Sequence, residues 1–369
     1  MDVTMNWRRE TGLTLVEILV AMVIGIVLVG GISQVYISLN QTNKISQSLS
    51  NLQESTRLNG DLLFQDLSHV GYLGCADPMQ TNPIVHYNNA PTHITDFVAN
   101  ALSGWEVDAI NWGDDPALDD INQTGNKNAI MNSDVFRVKY LSRSNLSLAA
   151  AMGSHTADIQ LTNDIFGLKA DDVVAIGDCE NVEIFKVTGK SETPLSIAHS
   201  STLNSSGAFN KAYDNLENTS VRVLLSNTYF VADTGRQNSS GDSISALFRQ
   251  GRGGGTPEEI AEGVENMQIL YGEEIVTDPC NPANNRVRFV EADDPDLDMS
   301  RVSVMKVGLL MASNERILTR DDDSTYLLLN QPVTASGTEL TYANDRRMRK
   351  AVNMTINIRN RRTTQECTF

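Results

Sequence analysis

The stretch that decides the fold is Leu13–Ile32, which reads LTLVEILVAMVIGIVLVGGI. It is almost wholly apolar, and a helix of that length spans about 30 Å, the hydrocarbon thickness of a bilayer. Arg8 and Arg9 precede it, and no early Lys or Arg follows it. The positive-inside rule therefore predicts a single membrane span, with Met1–Gly12 in the cytoplasm and the rest of the chain on the opposite side.

One carboxylate interrupts this apolar run. Glu17 lies near its start, where an unpaired charge costs a few kcal/mol on membrane-insertion scales. A cleaved secretory signal, with Gly31 and Ser33 forming a weak cleavage site, and a plain single-span anchor both fit the hydropathy. Because neither of them requires a glutamate, we predict that Glu17 is functional.

The segment from Arg8 to Glu17, RRETGLTLVE, followed by an apolar helix, resembles the class III signal of type IV pilins and pseudopilins. The resemblance implies that a prepilin peptidase cuts after Gly12 and methylates the new amino terminus at Leu13, where Leu replaces the commoner Phe. It also implies that Glu17 pairs with the amino terminus of a neighbouring subunit during docking. Such a pairing in a low-dielectric helix bundle offsets part of the cost of burying the carboxylate.

The helical pattern continues beyond the apolar run. Apolar residues, mostly leucines, recur at helical spacing as far as Val70. Gly71 and the stretch 74–78 (GCADP) follow and contain residue types that end helices. We therefore expect one helix from about Leu15 to about His69. In this interpretation 1–12 is a leader, 13–33 is the transmembrane and assembly half of a spine helix, and 34–75 is its amphipathic half.

The rest of the chain is rich in strand-like runs. Alternating or continuous apolar patterns predict strands at Asp134–Leu141, Asp158–Leu161, Val173–Ile176, Val182–Val187, Val221–Phe230, Val302–Ala312 and Ala351–Ile358, and Ile260–Tyr271 resembles a turn leading into a strand. Little helix is expected after residue 75. The predicted fold class is α+β, with an antiparallel β-rich extracytoplasmic head over 76–369 in two subregions, about 76–240 and 241–369. The resemblance to type IV pilins implies the same arrangement, a lollipop shape in which a long helix carries a globular head.

Three further segments resemble PilW-type minor pilins. Val70–Cys75 reads VGYLGC, Glu262–Gly272 reads EGVENMQILYG, and Arg346–Arg349 with Ile356–Asn360 forms a C-terminal segment. The resemblance implies a non-catalytic subunit of the complex that primes pilus assembly and caps the filament tip. It implies prepilin peptidase, other minor pilins, the major pilin and a tip adhesin of the PilY type as partners, and a role in adhesion or twitching motility.

The resemblance also predicts where the protein acts. Before assembly it would cross the inner membrane once, with a cytoplasmic amino terminus and a periplasmic carboxyl terminus, and afterwards it would lie at the pilus tip on the cell surface. A minor pseudopilin of type II secretion is the alternative within the same class, although the large tip pseudopilin usually lacks the glutamate found here at Glu17. From another class, the alternative is an exported hydrolase or binding protein with an ordinary signal sequence.

Four cysteines, Cys75, Cys179, Cys280 and Cys367, lie too far apart in sequence for a CxxC-type metal or redox site. An even number in an exported head favours two disulfides. Three pairings are open, and proximity along the chain together with a two-part head favours Cys75–Cys179 and Cys280–Cys367.

Charge and motif content disfavour several other functions. The formal net charge of −17, from 29 Lys and Arg against 46 Asp and Glu, argues against a nucleic-acid partner. The sequence has no metal-binding histidine spacing, nucleophile elbow or P-loop, so we expect neither an enzyme nor a bound cofactor. Asp294, Asp296 and Asp298 resemble the start of a calcium-binding EF-hand loop, but Met299 replaces the glycine of the turn, and we expect a solvated acidic loop there. The basic cluster 346–350 is expected to face acidic surface of this head or of a partner.

Overall fold

The computed structural model describes residues 14–78, 80–88, 97, 100–107, 128–251, 256–275, 286–336 and 340–360. Its first element is the helix α1 (Leu15–Ser68), which has the predicted extent. Antiparallel sheets dominate the residues that follow, so the predicted combination of a long N-terminal helix and a β-rich head is confirmed. Two compact units divide the chain at Met1–Asn51 and Leu52–Phe369, and the last turns of α1 belong to the second unit with the strands. The predicted boundaries near residues 75 and 240 stay predictions.

The strands in the first part of the head are β1 (Ile84–Val85), β2 (Leu102–Trp105), β3 (Val135–Leu141), β4 (Leu146–Ser147), β5 (Ile159–Gln160), β6 (Val173–Gly177), β7 (Val182–Lys186), β8 (Gly189–Glu192), β9 (Leu195–Ala198), β10 (Ser220–Gln237), β11 (Ser243–Gln250) and β12 (Glu258–Glu262). The strands that follow are β13 (Val264–Ile275), β14 (Arg286–Val290), β15 (Val302–Arg316), β16 (Tyr326–Leu328), β17 (Gln331–Thr334), β18 (Leu340–Thr341) and β19 (Arg347–Asn357). A short 3-10 helix, Met299–Arg301, precedes β15.

A large sheet is organised around the long strand β10. Its strands follow the order β1-β7-β6-β10-β11-β12, and β3, which also pairs with β2, and β4 join it along β10. The first residues of β10 pair with β6, the middle ones with β3 and the last ones with β11. One strand therefore fixes the register of three neighbours.

A second sheet has the order β14-β13-β15-β19 and is antiparallel throughout. One face of β15 carries Met305, Val307, Leu309 and Met311, which lie in the largest buried cluster of the head. Leu52, Leu63 and Leu67 of α1 belong to the same cluster, as do residues of β3 and β10. The inner face of the helix is thus buried together with apolar side chains from both sheets, which is the main source of stabilisation for such a layered core.

Four predicted strands differ from the structure. The predicted strand Val302–Ala312 continues to Arg316, and Ala351–Ile358 belongs to a strand that already begins at Arg347. The run Val221–Phe230 continues to Gln237, because the polar residues at its end pair with β11. The segment Ile260–Tyr271 is not a turn leading into one strand. It contains parts of β12 and β13, which meet at Gly263 and belong to different sheets.

A buried carboxylate on α1 fastens the helix to the large sheet. Asp66 is 7% exposed, and its two oxygens accept hydrogen bonds from the hydroxyl of Tyr140 at 2.8 Å, the hydroxyl of Tyr229 at 2.5 Å and the side-chain amide of Asn227 at 2.7 Å. Burial first, and then the charge of Asp66, raises the pKa of both phenols, so they remain neutral donors. We refer to these four residues as the Asp66 cluster.

The end of α1 is fixed by close backbone contacts. Gly71 follows the helix with a φ of +75°, and its amide donates to the carbonyl oxygen of Lys139 on β3 at 2.9 Å. A Cβ at this position would lie 2.4 Å from the carbonyl oxygen of Asn360, so both the backbone conformation and the space require glycine. The side-chain amide of Asn360 donates to the carbonyl of Ser68, which caps the helix from the far end of the chain.

A second buried polar cluster lies in the lobe built on β6 and β7. Glu183 is fully buried and accepts hydrogen bonds from His86 Nε2 at 2.5 Å, the Tyr213 hydroxyl at 3.0 Å and the Asn210 amide at 2.9 Å. Burial alone would raise the pKa of this carboxyl, but the three hydrogen bonds outweigh it and lower the pKa. The folded protein therefore holds Glu183 as an anion.

The basic cluster near the C terminus pairs within the head. The guanidinium of Arg349 is buried and contacts Glu265 at 2.6 Å and Asp345 at 3.0 Å, and Arg347 pairs with the same two carboxylates at 2.6 Å each. The ring of Tyr342 lies 4.3 Å from the guanidinium carbon of Arg349. These arginines therefore face acidic side chains of their own head, which was one of the two predicted outcomes.

We expect Asp66→Ala to lower the free energy of unfolding by about 2–4 kcal/mol, because it leaves buried hydroxyl and amide donors without an acceptor. Asp66→Asn keeps one acceptor oxygen and should cost less. Urea denaturation of the full chain in detergent measures both changes. Asp61→Ala, which removes an exposed carboxylate from the same helix, is the control and should change stability little. Equal effects at residues 61 and 66 would contradict the role given to the Asp66 cluster.

We expect Glu183→Gln to lower stability by about 1–3 kcal/mol at neutral pH, since the three donors lose their anionic acceptor. Because the folded-state pKa is depressed, the contribution of Glu183 is present above its ordinary value of 4.5 and is lost as the pH falls through the lower folded value. The gap between wild type and variant should therefore narrow in acid. Urea midpoints between pH 3 and pH 7 test this, with the exposed Glu217→Gln as control; a gap that widens in acid would refute it.

Candidate assembly segment

The first turn of α1 holds the carboxylate singled out by the sequence. The Glu17 oxygen Oε2 accepts hydrogen bonds from the Thr14 amide at 2.9 Å and the Thr14 hydroxyl at 3.0 Å, and the Glu17 amide donates to that hydroxyl at 3.3 Å. This reciprocal pattern is a capping box, in which the residue before the helix and the third residue of the helix satisfy each other's backbone groups. The positive end of the helix dipole also favours a carboxylate here.

The capping box leaves half of the carboxylate open. Both bonds from Thr14 end on Oε2, and Oε1 accepts no hydrogen bond from the described residues. The side chain is exposed. A cationic donor from outside the subunit can therefore bind Oε1 without breaking the local cap.

The helix that follows presents apolar side chains on every side. From Leu15 to Leu39 its large apolar residues are exposed, by between 46% and 75%. After Glu17, the next Asp, Glu, Lys or Arg in the chain is Lys44. In the described part of the chain, α1 is the one helix that has the length and the apolar composition needed to cross a membrane. A helix that is apolar all round needs a lipid or protein environment along this length.

The predicted cleavage and methylation positions, Gly12 and Leu13, lie outside the described residues. Thr14 was not singled out from the sequence, although the spacing Thr-x-x-Glu before an apolar run is the signature of a capping box and was sufficient to find it. Asp66 was also missed. The signal available there was a carboxylate between Leu63 and Leu67, on the apolar stripe of an amphipathic helix.

One of the two favoured disulfides is present. Cys75, just past the end of α1, is bonded to Cys179, between β6 and β7, with a Cα–Cα distance of 4.7 Å. The bridge ties the helix end to the β6–β7 hairpin across a sequence separation of 104 residues. Cys280 and Cys367 lie outside the described residues, so the pairing between them stays a prediction.

The three calcium candidates, Asp294, Asp296 and Asp298, make contacts with nearby residues. The Asp294 carboxylate lies 3.4 Å from the Arg288 guanidinium, and Asp298 caps the short 3-10 helix by accepting from the Ser300 amide at 2.9 Å. The Asp296 amide donates to Asp294, while its carbonyl accepts from Arg288. Within the described ranges, no three His, Cys, Asp or Glu side chains are placed to hold a metal ion.

Two family models match the chain. The prokaryotic N-terminal methylation motif matches residues 7–33, and the type IV pilus-assembly protein W family matches residues 228–360, roughly a third of the chain. The resemblance to PilW-type minor pilins is thereby confirmed, and it supports a type IV pilus minor pilin. No curated protein matches the chain.

The two matches fall on different parts of the fold. The first spans the predicted cleavage position and most of the apolar half of α1, and a prepilin signal with one apolar helix is consistent with membrane anchoring. The second runs from the middle of β10 to the end of β19 and so contains the whole four-stranded sheet. The segment Val70–Cys75 lies outside both.

We expect Cys75→Ser combined with Cys179→Ser to lower the free energy of unfolding by about 4–5 kcal/mol, the value that the chain-entropy model assigns to a loop of this length. Urea denaturation without reductant measures the loss. Peptide mapping of the unreduced wild type should recover the peptides of Cys75 and Cys179 joined. Recovery of either cysteine bonded to Cys280 or Cys367 would contradict the structure.

Proposed function

We propose that this protein is a minor pilin of the type IV pilus, a non-catalytic subunit of the complex that initiates assembly and remains at the filament tip. The observation that carries the proposal is Glu17. It is a single carboxylate in the first turn of a helix that is otherwise uncharged as far as Lys44, directly after the Gly12–Leu13 junction of a methylation motif. Neither an ordinary signal sequence nor a plain membrane anchor requires this arrangement.

Processing and anchoring follow from the same segment. We infer that prepilin peptidase cuts between Gly12 and Leu13 and methylates the new amino terminus of Leu13. Removal of a leader that carries Arg8 and Arg9 leaves the apolar half of α1 in the inner membrane with its amino terminus on the cytoplasmic side. The head then lies in the periplasm before assembly and at the cell surface afterwards.

Docking is an electrostatic event in a medium of low dielectric constant. The α-amino group of a neighbouring subunit is a cation, and Glu17 offers it Oε1 while Thr14 holds Oε2. Charge pairing of this kind gains strength as water is excluded, and it compensates the cost of desolvating the carboxylate. Helix insertion into a filament and neutralisation of Glu17 are therefore coupled.

The size of the head supports a tip position. The second compact unit runs from Leu52 to Phe369 and contains both sheets. A head of this size is awkward to repeat along a tightly packed shaft, whereas a tip subunit has no copy of itself above it. Other minor pilins, the major pilin and a tip adhesin of the PilY type are the partners that we propose there.

Variants of the first turn separate docking from capping. We expect Glu17→Ala and Glu17→Gln to reduce incorporation into pili at least about tenfold, which corresponds to about 1.4 kcal/mol per docking event, because both remove the charge. Glu17→Gln keeps an oxygen that can accept from Thr14. Thr14→Ala removes the hydroxyl cap at a cost of about 0.5–2 kcal/mol but leaves the charge, so incorporation should fall much less than in the Glu17 variants. Immunoblots of sheared pili against whole cells measure the ratio.

Mass spectrometry of the mature amino terminus is the companion measurement. N-methyl-Leu13 is expected in the wild type and in all three variants. Cleavage near Ser33, or an intact Met1, would contradict the prepilin assignment. Normal incorporation of Glu17→Gln together with failure of Thr14→Ala would assign Glu17 a capping role instead. In a deletion strain, loss of pili with normal secretion distinguishes a pilin from a pseudopilin.

A further inference from the structure

Two carboxyl groups face each other where the strands β2 and β3 leave the large sheet. In their antiparallel register Trp105 lies opposite Val135, so the next facing pair is Glu106 and Asp134. Asp134 is 3% exposed. None of the ion pairs in the described part of the chain includes either residue. A buried carboxylate next to a second one, without a cation, is an unfavourable arrangement unless something neutralises it.

Each carboxyl is held in place by a backbone donor from the second sheet. The Ile269 amide on β13 donates to Asp134 Oδ2 at 2.6 Å, and the Ala292 amide just after β14 donates to Glu106 Oε1 at 3.1 Å. Two facing carboxylates have no donor between them, so a contact between these side chains requires a proton on one of the two groups.

The surroundings favour that proton. Burial raises the pKa of Asp134 well above its ordinary value, the hydrogen bond and charge of Glu106 raise it further, and the charge of Glu291 adds to this, against a lowering by the Ile269 amide. The remaining titratable group that faces the pair is Tyr271 on β13. Its own pKa is raised by burial and then by the charges of Asp134 and Glu106, so it stays neutral.

The Tyr271 hydroxyl is fully buried and has no hydrogen-bond partner among the described residues. It lies against Gly104, where a Cβ would come within 1.9 Å of it, so glycine at this position of β2 makes room for the phenol. Tyr271 therefore places a neutral hydroxyl group beside the carboxyl groups of Asp134 and Glu106. Among the described residues, the cluster thus contains two carboxyls and one phenol, and no ion pair neutralises it.

We propose that Glu106 and Asp134 share one proton at neutral pH, and that this protonated pair is a clasp between the large sheet and the four-stranded sheet. Each carboxyl links the two sheets, since it belongs to the β2–β3 edge and accepts a hydrogen bond from Ile269 on β13 or from Ala292, two residues after β14. A bound metal ion is the other way in which the charge of this pair could be neutralised. The described residues place no three ligating side chains around a common point, which favours the proton.

Loss of the proton would leave two adjacent anions at the joint. Between the ordinary value for aspartate and the raised folded value, the folded state binds one more proton than the unfolded chain, so stability falls as the pH rises through that interval. The pair therefore makes the sheet-to-sheet joint weaker in alkaline than in neutral surroundings. This property does not depend on the proposed role in pilus assembly.

The test compares wild type with Asp134→Asn as full chains in detergent. Asparagine still accepts from Ile269 and can donate to Glu106, so the variant keeps both contacts without a titrating proton. We expect the unfolding constant of wild type, relative to the variant, to rise with pH between pH 4 and pH 9, by at most about tenfold per pH unit. In Glu106→Gln the burial of Asp134 remains, so its difference from wild type should change less with pH. The exposed Asp214→Asn is the control and should follow the wild type.

A spectroscopic measurement distinguishes a shared proton from a merely structural contact. The infrared difference spectrum of wild type minus Asp134→Asn at pH 7 should contain the carbonyl band of a protonated carboxyl group. Absence of this band, or parallel pH profiles for wild type and variant, would overturn the proposal. It would also be overturned if Ca²⁺ or Mg²⁺ raised the unfolding midpoint of wild type but not of Asp134→Asn, because the site would then hold a metal ion.

Discussion

The interaction on which the head depends is the burial of the inner face of α1 with Asp66 at its end. Leu52, Leu63 and Leu67 supply apolar area, but apolar contacts alone would tolerate a rotated or shifted helix. Asp66 removes that freedom, since its two oxygens must meet donors from β3 and β10 at the same time. A carboxylate that is nearly buried costs several kcal/mol when unsatisfied, so other registers of the helix are strongly disfavoured.

Buried carboxylates also join other elements of the head. Glu183 joins β7 to the segment that carries Asn210 and Tyr213, and Glu265 on β13 pairs with Arg347 and Arg349 on β19. Some of the acidic residues of the chain are therefore buried and take part in contacts inside the head. Buried ionic groups are weak evidence for stability, but they penalise wrong arrangements, because each loses its partner when a layer shifts. The clasp of Glu106 and Asp134 belongs to this set, with a proton in place of a cation.

The helices and strands could be predicted from the sequence better than the contacts that join them. The helix from Leu15 and the strands β3, β6, β7, β15 and β19 follow from periodicity, which is a local property. The end of β10 did not follow, because Asp233 and Gln237 are held in the strand by pairing with β11 rather than by their own hydropathy. The hydrogen-bond donors to Asp66 and Asp134 were beyond prediction for the same reason. They come from residues that are distant in sequence and near only after folding.

Glu17 differs from these residues in that its local partner is adjacent in sequence and its proposed partner lies in another molecule. If the local cap and the docking contact used the same oxygen, docking would have to break the bonds from Thr14, and part of its free energy would be lost. In this geometry both bonds end on Oε2, and Oε1 accepts no hydrogen bond from the residues that the structure describes. The cap also orients the carboxylate toward the start of the helix, which is where the proposed docking brings the amino terminus of a neighbouring subunit. The cap therefore holds the Glu17 side chain in one orientation before any docking. The free subunit has already lost the side-chain entropy that the proposed docking contact would otherwise remove.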